Sequence, residues 1–287
     1  VSTGVAVIVV NFNAGEHLRT CVESVAADLS LPSSEIIVVD NASSDGSYRL
    51  IDGMPAVSLV RNERNRGFGA AANQAAQLTS APLIWLLNPD CQVVPGTFAK
   101  LTHTLQQHDT CAIAAARLLN ADGSVQASAR GEPSAWTGLF GRHSLMTKLF
   151  PRSALARRNL PAEDLVQADV ESAVVDWVMG ACMLIRRERF IEVGGFDERY
   201  FLYWEDADLC RRLRARGYET RYVPGAHVVH VGAVSSATRS GMATREFHRS
   251  AYRYYATHVV PRRWHPARGF ARVALTLRSW LRGGWRR

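Results

Sequence analysis

Three groups of side chains in this sequence have types and spacings suited to chemistry. Asn88-Pro89-Asp90 follows an apolar run, Leu83–Leu87. A carboxylate at such a strand end can hold a hard divalent cation through oxygen, and Mg²⁺ or Mn²⁺ held there can bind a diphosphate. Alone, such a triplet is more often just a turn. The second group is Trp204-Glu205-Asp206-Ala207-Asp208-Leu209, where Leu209 and Leu213 mark the apolar face of a helix. Acids in a first helical turn serve as caps and suit the helix dipole. Capping needs only one of them, so a second acid beside Tyr203-Trp204 is left for other work. The third group is His227-Val-Val-His230. Positions i and i+3 of a strand point to opposite faces, so one histidine faces a site and the other is structural, which argues against a zinc pair.

The elements that position these groups alternate. Val5–Val10 is a continuous apolar run ending at Asn11, as in a strand buried on both faces. Leu18, Val22, Val25 and Leu29 recur at helical spacing, and Ile36–Val39 is a second strand ending at Asp40. Val57–Val60 and Leu83–Leu87 read as strands, while Ala70–Leu78 and Gly96–Gln107 read as helices. Cys111–Ala116, Val175–Ile185, Thr220–Val223 and His227–Val231 read as extended, with a helix over Asp206–Arg216. Residues 120–175 are irregular and mix apolar pairs with arginines, as in a surface amphipathic segment or a flap. The alternation predicts an α/β fold with a Rossmann-like, mostly parallel sheet covered by helices on both faces. Polar residues gather after the strands, where such sheets bind ligands.

The 287 residues are 47% hydrophobic, enough for a large core. No apolar run reaches the 18 residues of a membrane span, and no charged segment followed by an apolar stretch opens the chain, which argues against a cleaved signal peptide. Five cysteines without a C-x-x-C pair read as buried thiols of a reducing compartment. The net charge is +8, but ten arginines and no acid lie between Phe247 and Arg287, so the first 246 residues carry a formal −2. The basic character belongs to the tail, where arginine is interleaved with Trp264, Trp280 and Trp285.

Seven motifs in order carry a resemblance. They are Val9-Val-Asn-Phe-Asn13, Val38-Val-Asp-Asn-Ala-Ser-Ser-Asp-Gly46, Asn65-Arg-Gly-Phe-Gly-Ala-Ala-Ala-Asn73, Leu87-Asn-Pro-Asp90, Gly180-Ala-Cys-Met-Leu-Ile-Arg186, Gly194-Gly-Phe-Asp197 and Trp204-Glu-Asp-Ala-Asp-Leu209. Together, across about residues 5–231, the sequence resembles the family 2 glycosyltransferases of GT-A fold, in their rhamnosyltransferase-like branch.

The resemblance implies a catalytic domain over residues 1–245, with a nucleotide-sugar half (1–116) and an acceptor half (117–245), followed by a basic helical segment over 246–287. It places Val10, Asn11, Asn13 and Asp40 around the nucleoside, and Asn65, Gly67, Phe68 and Asn73 beside nucleotide and donor sugar. Asp90 matches the last acid of the family's D-x-D metal motif, and Asn88 stands where the first acid is usual, on metal or ribose. His230 matches a metal-ligating histidine, Asp206 the catalytic base, and Glu205, Trp204, Trp177, Gly180 and Ala181 the acceptor side. The implied cofactor is a divalent cation, Mg²⁺ or Mn²⁺. The implied partners are a nucleotide sugar, dTDP-rhamnose, and a polyprenyl-diphosphate-linked N-acetylglucosamine, as in arabinogalactan linker synthesis. The tail then suits an anionic membrane surface, with the enzyme peripheral on the inner face of the plasma membrane, in the cytoplasm.

Elementary chemistry agrees with these roles. A nucleoside diphosphate neutralised by a cation leaves without a general acid. One carboxylate suffices to take the acceptor proton, and a single displacement inverts the anomeric centre. A retaining route needs a nucleophile at the sugar, for which the sequence offers no independent candidate. A nicotinamide dehydrogenase is disfavoured because Asn11-Phe-Asn-Ala-Gly15 replaces the glycine fingerprint after the first strand, and no P-loop is present. A nucleic-acid-binding protein would explain the arginines but not the acidic cluster, so no nucleic-acid partner is expected.

Overall fold

The computed structural model describes residues 4–28, 35–133, 170–232 and 240–283, the last few by backbone alone. Leu29 and the apolar–basic segment at 139–158 lie outside the described residues.

The N-terminal half follows the periodicity closely. Val5–Asn11 (β1), Glu35–Asp40 (β2), Val57–Arg61 (β3) and Leu83–Leu87 (β4) are strands. Glu16–Asp28 (α1), Phe68–Gln77 (α2) and Thr97–Gln107 (α3) are helices. Between them Cys91–Val93 forms a short strand (β5) that the sequence pattern did not announce. Then come Cys111–Leu119 (β6), Ala129–Arg130 (β7), Ala173–Val175 (β8), Trp177–Val178 (β9) and Cys182–Arg186 (β10). Arg187–Glu192 (α4), Glu205–Arg214 (α5), Glu219–His230 (β11), Ser240–Tyr254 (α6) and Pro266–Gly283 (α7) complete the described elements.

Two expectations change. Val175–Ile185 is three short strands, because the Val178–Cys182 stretch turns at Gly180 rather than continuing one ladder. Thr220–Val223 and His227–Val231 are one strand, β11, whose register against β6 shifts between Val223 and His227. Pro224 lacks an N–H and sits at that irregularity, so the ladder bulges there without ending.

Nine strands form one sheet among the described residues, in the order β3-β2-β1-β4-β10-β6-β11-β5, with β8 on the same edge of β11 as β5. The pairs β2–β3, β1–β2, β1–β4 and β6–β11 are parallel. β10 runs antiparallel between β4 and β6, and β5 and β8 run antiparallel to β11, so the sheet is mixed rather than mostly parallel. That reversal sets Cys182 opposite Leu87, so the Gly180–Ala181 turn lies at the carboxyl end of β4.

Alternate residues of the central strands feed two cores, as the period of two requires. Val5, Val7 and Val9 pack with Leu83, Trp85 and Leu87 against α1 and α3. Ile8 and Val10 pack with Ile84 and Leu86 against α2, α4 and α5. The sheet is thus an α/β layer buried on both faces. Strand order reverses beside β1, so the carboxyl ends of β1, β2 and β4 open onto one crevice.

Candidate active site

The ends of β1 and β2 are tied together. Asn11 Nδ2 donates to Asp40 Oδ1 at 2.8 Å and to the hydroxyls of Ser43 (3.2 Å) and Ser47 (2.8 Å). Asp40 Oδ2 accepts the amide of Ser43, and Asp40 is fully buried. Its carboxylate therefore shapes the loop that follows it. Asn13, in the left-handed region at φ 53°, accepts the amides of Ser44 and Asp45. An open groove of about 530 Å³ is lined by Asn13–His17, Ser44 and Asp45. Asp45 in this groove is pushed up by burial, but bonds from Ser47 and Gly15 outweigh that and hold its carboxyl below the usual range.

The second border is built around Asn41. Its amide donates to Asn65 Oδ1 and to the carbonyl of Gly67, and accepts from Asn62 and the amide of Arg66. Gly67 has φ +87° and a Cβ there would stand 2.5 Å from the Phe201 carbonyl, so only glycine fits. Phe68 packs edge-on against Phe196. Asn73 is engaged elsewhere: its amide accepts from the backbone of Phe196 and donates to the Phe196 carbonyl and Glu198. Val10 sits in the core, with only its backbone at the strand end. Asp40, Asn73 and Val10 thus brace the crevice, and Asn13, Asn65 and Asn88 border it.

Asp90 and His230 meet at the end of β4. His230 Nε2 stands 3.4 Å from Asp90 Oδ1 and 3.4 Å from Asn88 Nδ2. Both residues are buried. Burial pushes the Asp90 carboxyl up, but the bond and charge of His230 prevail and hold it below the usual carboxylate range. His227 faces the other side of β11, as strand parity requires, and burial beside Arg117 and Lys100 lowers its pKa.

Ligand atoms of Asp90, Cys91 and His230 all lie within 4.8 Å of one another. The Cys91 thiol donates to the Ala181 carbonyl, and complete burial raises its pKa well above that of a free thiol. It is a neutral core group, which leaves a carboxylate oxygen and an imidazole nitrogen, with the Asn88 amide beside them. That set suits a divalent cation of the Mg²⁺ or Mn²⁺ class better than a thiolate-seeking metal. All five cysteines are buried and free, as expected.

The acidic cluster opens α5. Tyr203 and Trp204, at φ 66° and 73°, precede it in the left-handed region, which non-glycine residues enter at a cost of about 1–3 kcal/mol each. That turn presents Asp206, whose Oδ2 accepts the amide of Gly180 at 3.0 Å and whose Oδ1 accepts the amide of Ala207 at 2.8 Å. Burial raises the Asp206 pKa, and those amides and the Arg130 charge pull it only partly back. Glu205 is buried, with its Cβ near Gly69 of α2, and its Oε2 has no partner among the described residues. Burial, then the charge of Asp206, raises its pKa well above a normal glutamate. Trp204 stacks near Tyr254 of α6, at 5.2 Å between ring centroids. Trp177 donates to the Gly131 carbonyl and lies under Arg130. Ala181 accepts the amide of Asn88, which links the acceptor-side turn directly to the Asp90 loop.

The sequence pattern gave no sign of Gln126, Arg130 or His17. Gln126 Oε1 contacts His230 Nδ1 at 2.9 Å, Arg130 and His17 act on Asp206 and Asp90 through charge, and all three lie far in sequence from what they touch. α6 runs across residue 245 and packs Tyr254 beneath Trp204, while His258 Nε2 approaches Asp208 Oδ1 at 2.6 Å.

Comparison with known proteins agrees with this architecture. The family model described as glycosyltransferase like family 2 matches residues 3–253. The N-acetylglucosaminyl-diphospho-decaprenol L-rhamnosyltransferase of Mycobacterium tuberculosis H37Rv is 32% identical over 287 residues, covering 96% of this chain and 91% of that protein. The rhamnosyltransferase WbbL of Escherichia coli K12 is 42% identical over 83 residues, 29% of this chain and 31% of that one. Among solved structures, the mannosyltransferase PcManGT of Pyrobaculum calidifontis, in complex with GDP-Man and Mn²⁺, has a TM-score of 0.59 at 16% identity, covering 98% of this chain and 72% of that one. GalNAc-T7 with UDP, GalNAc and Mn²⁺ has a TM-score of 0.60 at 21% identity, covering 79% and 44%. These two likenesses concern the fold, which is of the GT-A kind.

Proposed function

The chain belongs to the family 2 glycosyltransferases, and on that premise we propose that it is an inverting, metal-dependent enzyme that moves L-rhamnose from dTDP-rhamnose to a polyprenyl-diphosphate-linked N-acetylglucosamine. The observation that carries the reading is the near full-length likeness to an enzyme named as an N-acetylglucosaminyl-diphospho-decaprenol L-rhamnosyltransferase. The geometry supports it, because a cation-type donor set and a shielded carboxylate meet at one sheet edge.

In this reading Asp90 and His230 hold the cation, with Asn88 beside them. A divalent ion held there would supply the positive charge that lets a diphosphate leave. The groove at Asn13 and the Asn65 loop border the donor, held in shape by Asp40 and Asn73. Asp206, oriented by Gly180, accepts the proton of the acceptor hydroxyl. Trp177, Trp204 and the Gly180–Ala181 turn frame the acceptor side, with Glu205 buried beneath them and its pKa raised by burial and by the charge of Asp206. The donor half (1–116) and the acceptor half (117–245) then share β6, which spans their division, and the basic helical segment starts after α6, which crosses residue 245.

The tail supports a membrane-surface location. No helix among the described residues is long and apolar enough to cross a bilayer. α7 nevertheless leaves Phe270, Val273, Leu277 and Trp280 exposed on one stripe, with Trp264 91% exposed ahead of it. An apolar stripe flanked by arginines suits an anionic surface at headgroup depth, where each basic residue adds about 1 kcal/mol. On this reading the enzyme works at the inner face of the plasma membrane, facing the cytoplasm.

A panel of dTDP-, UDP- and GDP-sugars, offered with metal and with a short-chain diphospholipid N-acetylglucosamine, tests the donor half. Release of dTDP from dTDP-rhamnose alone is the expected result. Preferred turnover of a UDP- or GDP-sugar would replace the donor assignment and leave the family unchanged.

A further inference from the structure

Gln126 is 9% exposed, lies on the far side of His230 from Asp90, and none of its contacts are explained by the groups that would touch substrate. Its Nε2 donates to the His230 carbonyl at 2.7 Å and to Asn120 Oδ1 at 2.8 Å. Asn120 Nδ2 in turn donates to the Ser124 hydroxyl at 2.7 Å, and that hydroxyl donates to Asp122. Every donor in this chain has an acceptor, so the orientation of the Gln126 amide is determined: Oε1, not Nε2, faces the imidazole. The contact of 2.9 Å between Gln126 Oε1 and His230 Nδ1 therefore needs a proton on Nδ1. In the neutral ring the lone pair is then on Nε2, which stands 3.4 Å from Asp90 and 3.4 Å from the Asn88 amide nitrogen, a donor.

We propose that Gln126 is the positioning residue that fixes His230 in its Nδ1–H tautomer and ring orientation, so that Nε2 is presented as a metal ligand beside Asp90. The inference rests on the reading of His230 as a ligand and adds the group that makes it one. A free histidine side chain favours the opposite tautomer, with the proton on Nε2, which would offer the cation an N–H. The hydrogen bond on the remote nitrogen decides which form is present. The same amide also grips the backbone of His230, so side chain and main chain are held by one residue at the end of β11. The hairpin from Asn120 to Gln126 is tied by the Leu119–Val125 bridge, which carries this grip on the long central strand β6.

The test uses the full-length chain labelled with ¹⁵N at histidine and stripped of metal, with the His230 signals identified by their loss in His230→Ala. Long-range ¹H–¹⁵N spectra of the unsubstituted protein are expected to show His230 protonated at Nδ1. A proton on Nε2 there overturns the proposal without any further variant. Binding of Mn²⁺ alone is then followed by the loss of its free-ion paramagnetic resonance signal. Gln126→Leu is expected to move the proton to Nε2 and to weaken Mn²⁺ binding by about 10–100-fold. Asn120→Ala, which loosens the hairpin but leaves the Gln126–imidazole contact possible, is expected to keep both the tautomer and the affinity. Unchanged Mn²⁺ affinity in Gln126→Leu, or an equal loss in Asn120→Ala, overturns the positioning role. In either case a weakened His230→Ala keeps the ligand reading intact. Unchanged Mn²⁺ binding in His230→Ala itself overturns both.

Discussion

The backbone amide of Gly180 donates to Asp206 Oδ2 at 3.0 Å, which joins the turn ahead of β10 to the first turn of α5. β10 lies beside β4, and the carbonyl of Ala181 takes the amide of Asn88. The carboxylate that would accept a proton is therefore braced by the same turn that braces the Asp90 loop. Two residues 116 positions apart in sequence are set relative to each other by one short turn.

Loss of the Asp206 charge removes the proposed base and leaves the cation set untouched. Asp206→Asn is expected to lower kcat by on the order of 10²–10⁴ with nucleotide and metal binding retained. Glu205→Gln is expected to cost much less in kcat. A near-normal rate in the first variant with a dead second variant would exchange the two roles.

Burial raises the pKa of Asp206, and the positive charge of Arg130 opposes that rise. The base works only when deprotonated, so activity is expected to climb with pH through a limb above the ordinary aspartate range. Arg130→Met removes the opposing charge, which raises the pKa further and moves this limb to higher pH. A pH–rate profile of kcat/KM checks the direction, and a limb that stays in place or moves to lower pH contradicts it.

Glu205 supplies a stability test of opposite character. Its folded pKa lies well above the unfolded value, by burial and then by the charge of Asp206. The native state thus holds its proton more tightly, and stability falls as pH rises from the unfolded pKa to the folded one. Glu205→Gln is expected to raise Tm near neutral pH, by roughly 2–4 °C for each kcal/mol gained, and to give little below pH 4. Thermal scans at two pH values decide it, and a lower Tm at neutral pH would show the carboxylate to be ionised and paired.

Much of this architecture was legible in the sequence. β4 falls at Leu83–Leu87 as its apolar run states, and the strand-parity argument correctly separates His230 from His227. The polar residues after β1, β2 and β4 do gather at one edge. Periodicity is local, however, and could not show that β10 runs antiparallel, nor that Asp40 and Asn73 turn inward as braces. Gln126, Arg130 and His17 were invisible because their importance comes from what the chain brings beside them. Most of α6 falls in the segment that the arginine count marks as a basic tail, yet Tyr254 is buried beneath Trp204, because a charge count hides the helix's aromatic face.

The exposed stripe on α7 gives a physical prediction of its own. The full chain is expected to sediment with anionic vesicles and to be released by high salt. Phe270→Ser together with Trp280→Ser, or truncation after Pro261, is expected to abolish sedimentation. Equal sedimentation by all forms, or by none, would remove the membrane role from this helix.

The most direct test of the central claim is a transfer reaction analysed by mass and by NMR. The purified chain, Mg²⁺ or Mn²⁺, dTDP-L-rhamnose and a short-chain polyprenyl-diphosphate N-acetylglucosamine are expected to give a product heavier by one deoxyhexose, with the anomeric configuration inverted. Asp206→Asn should slow it by on the order of 10²–10⁴, and Asp90→Ala or a chelator should abolish it. Transfer that proceeds at full rate in the presence of chelator, or with the anomeric configuration retained, would contradict the account.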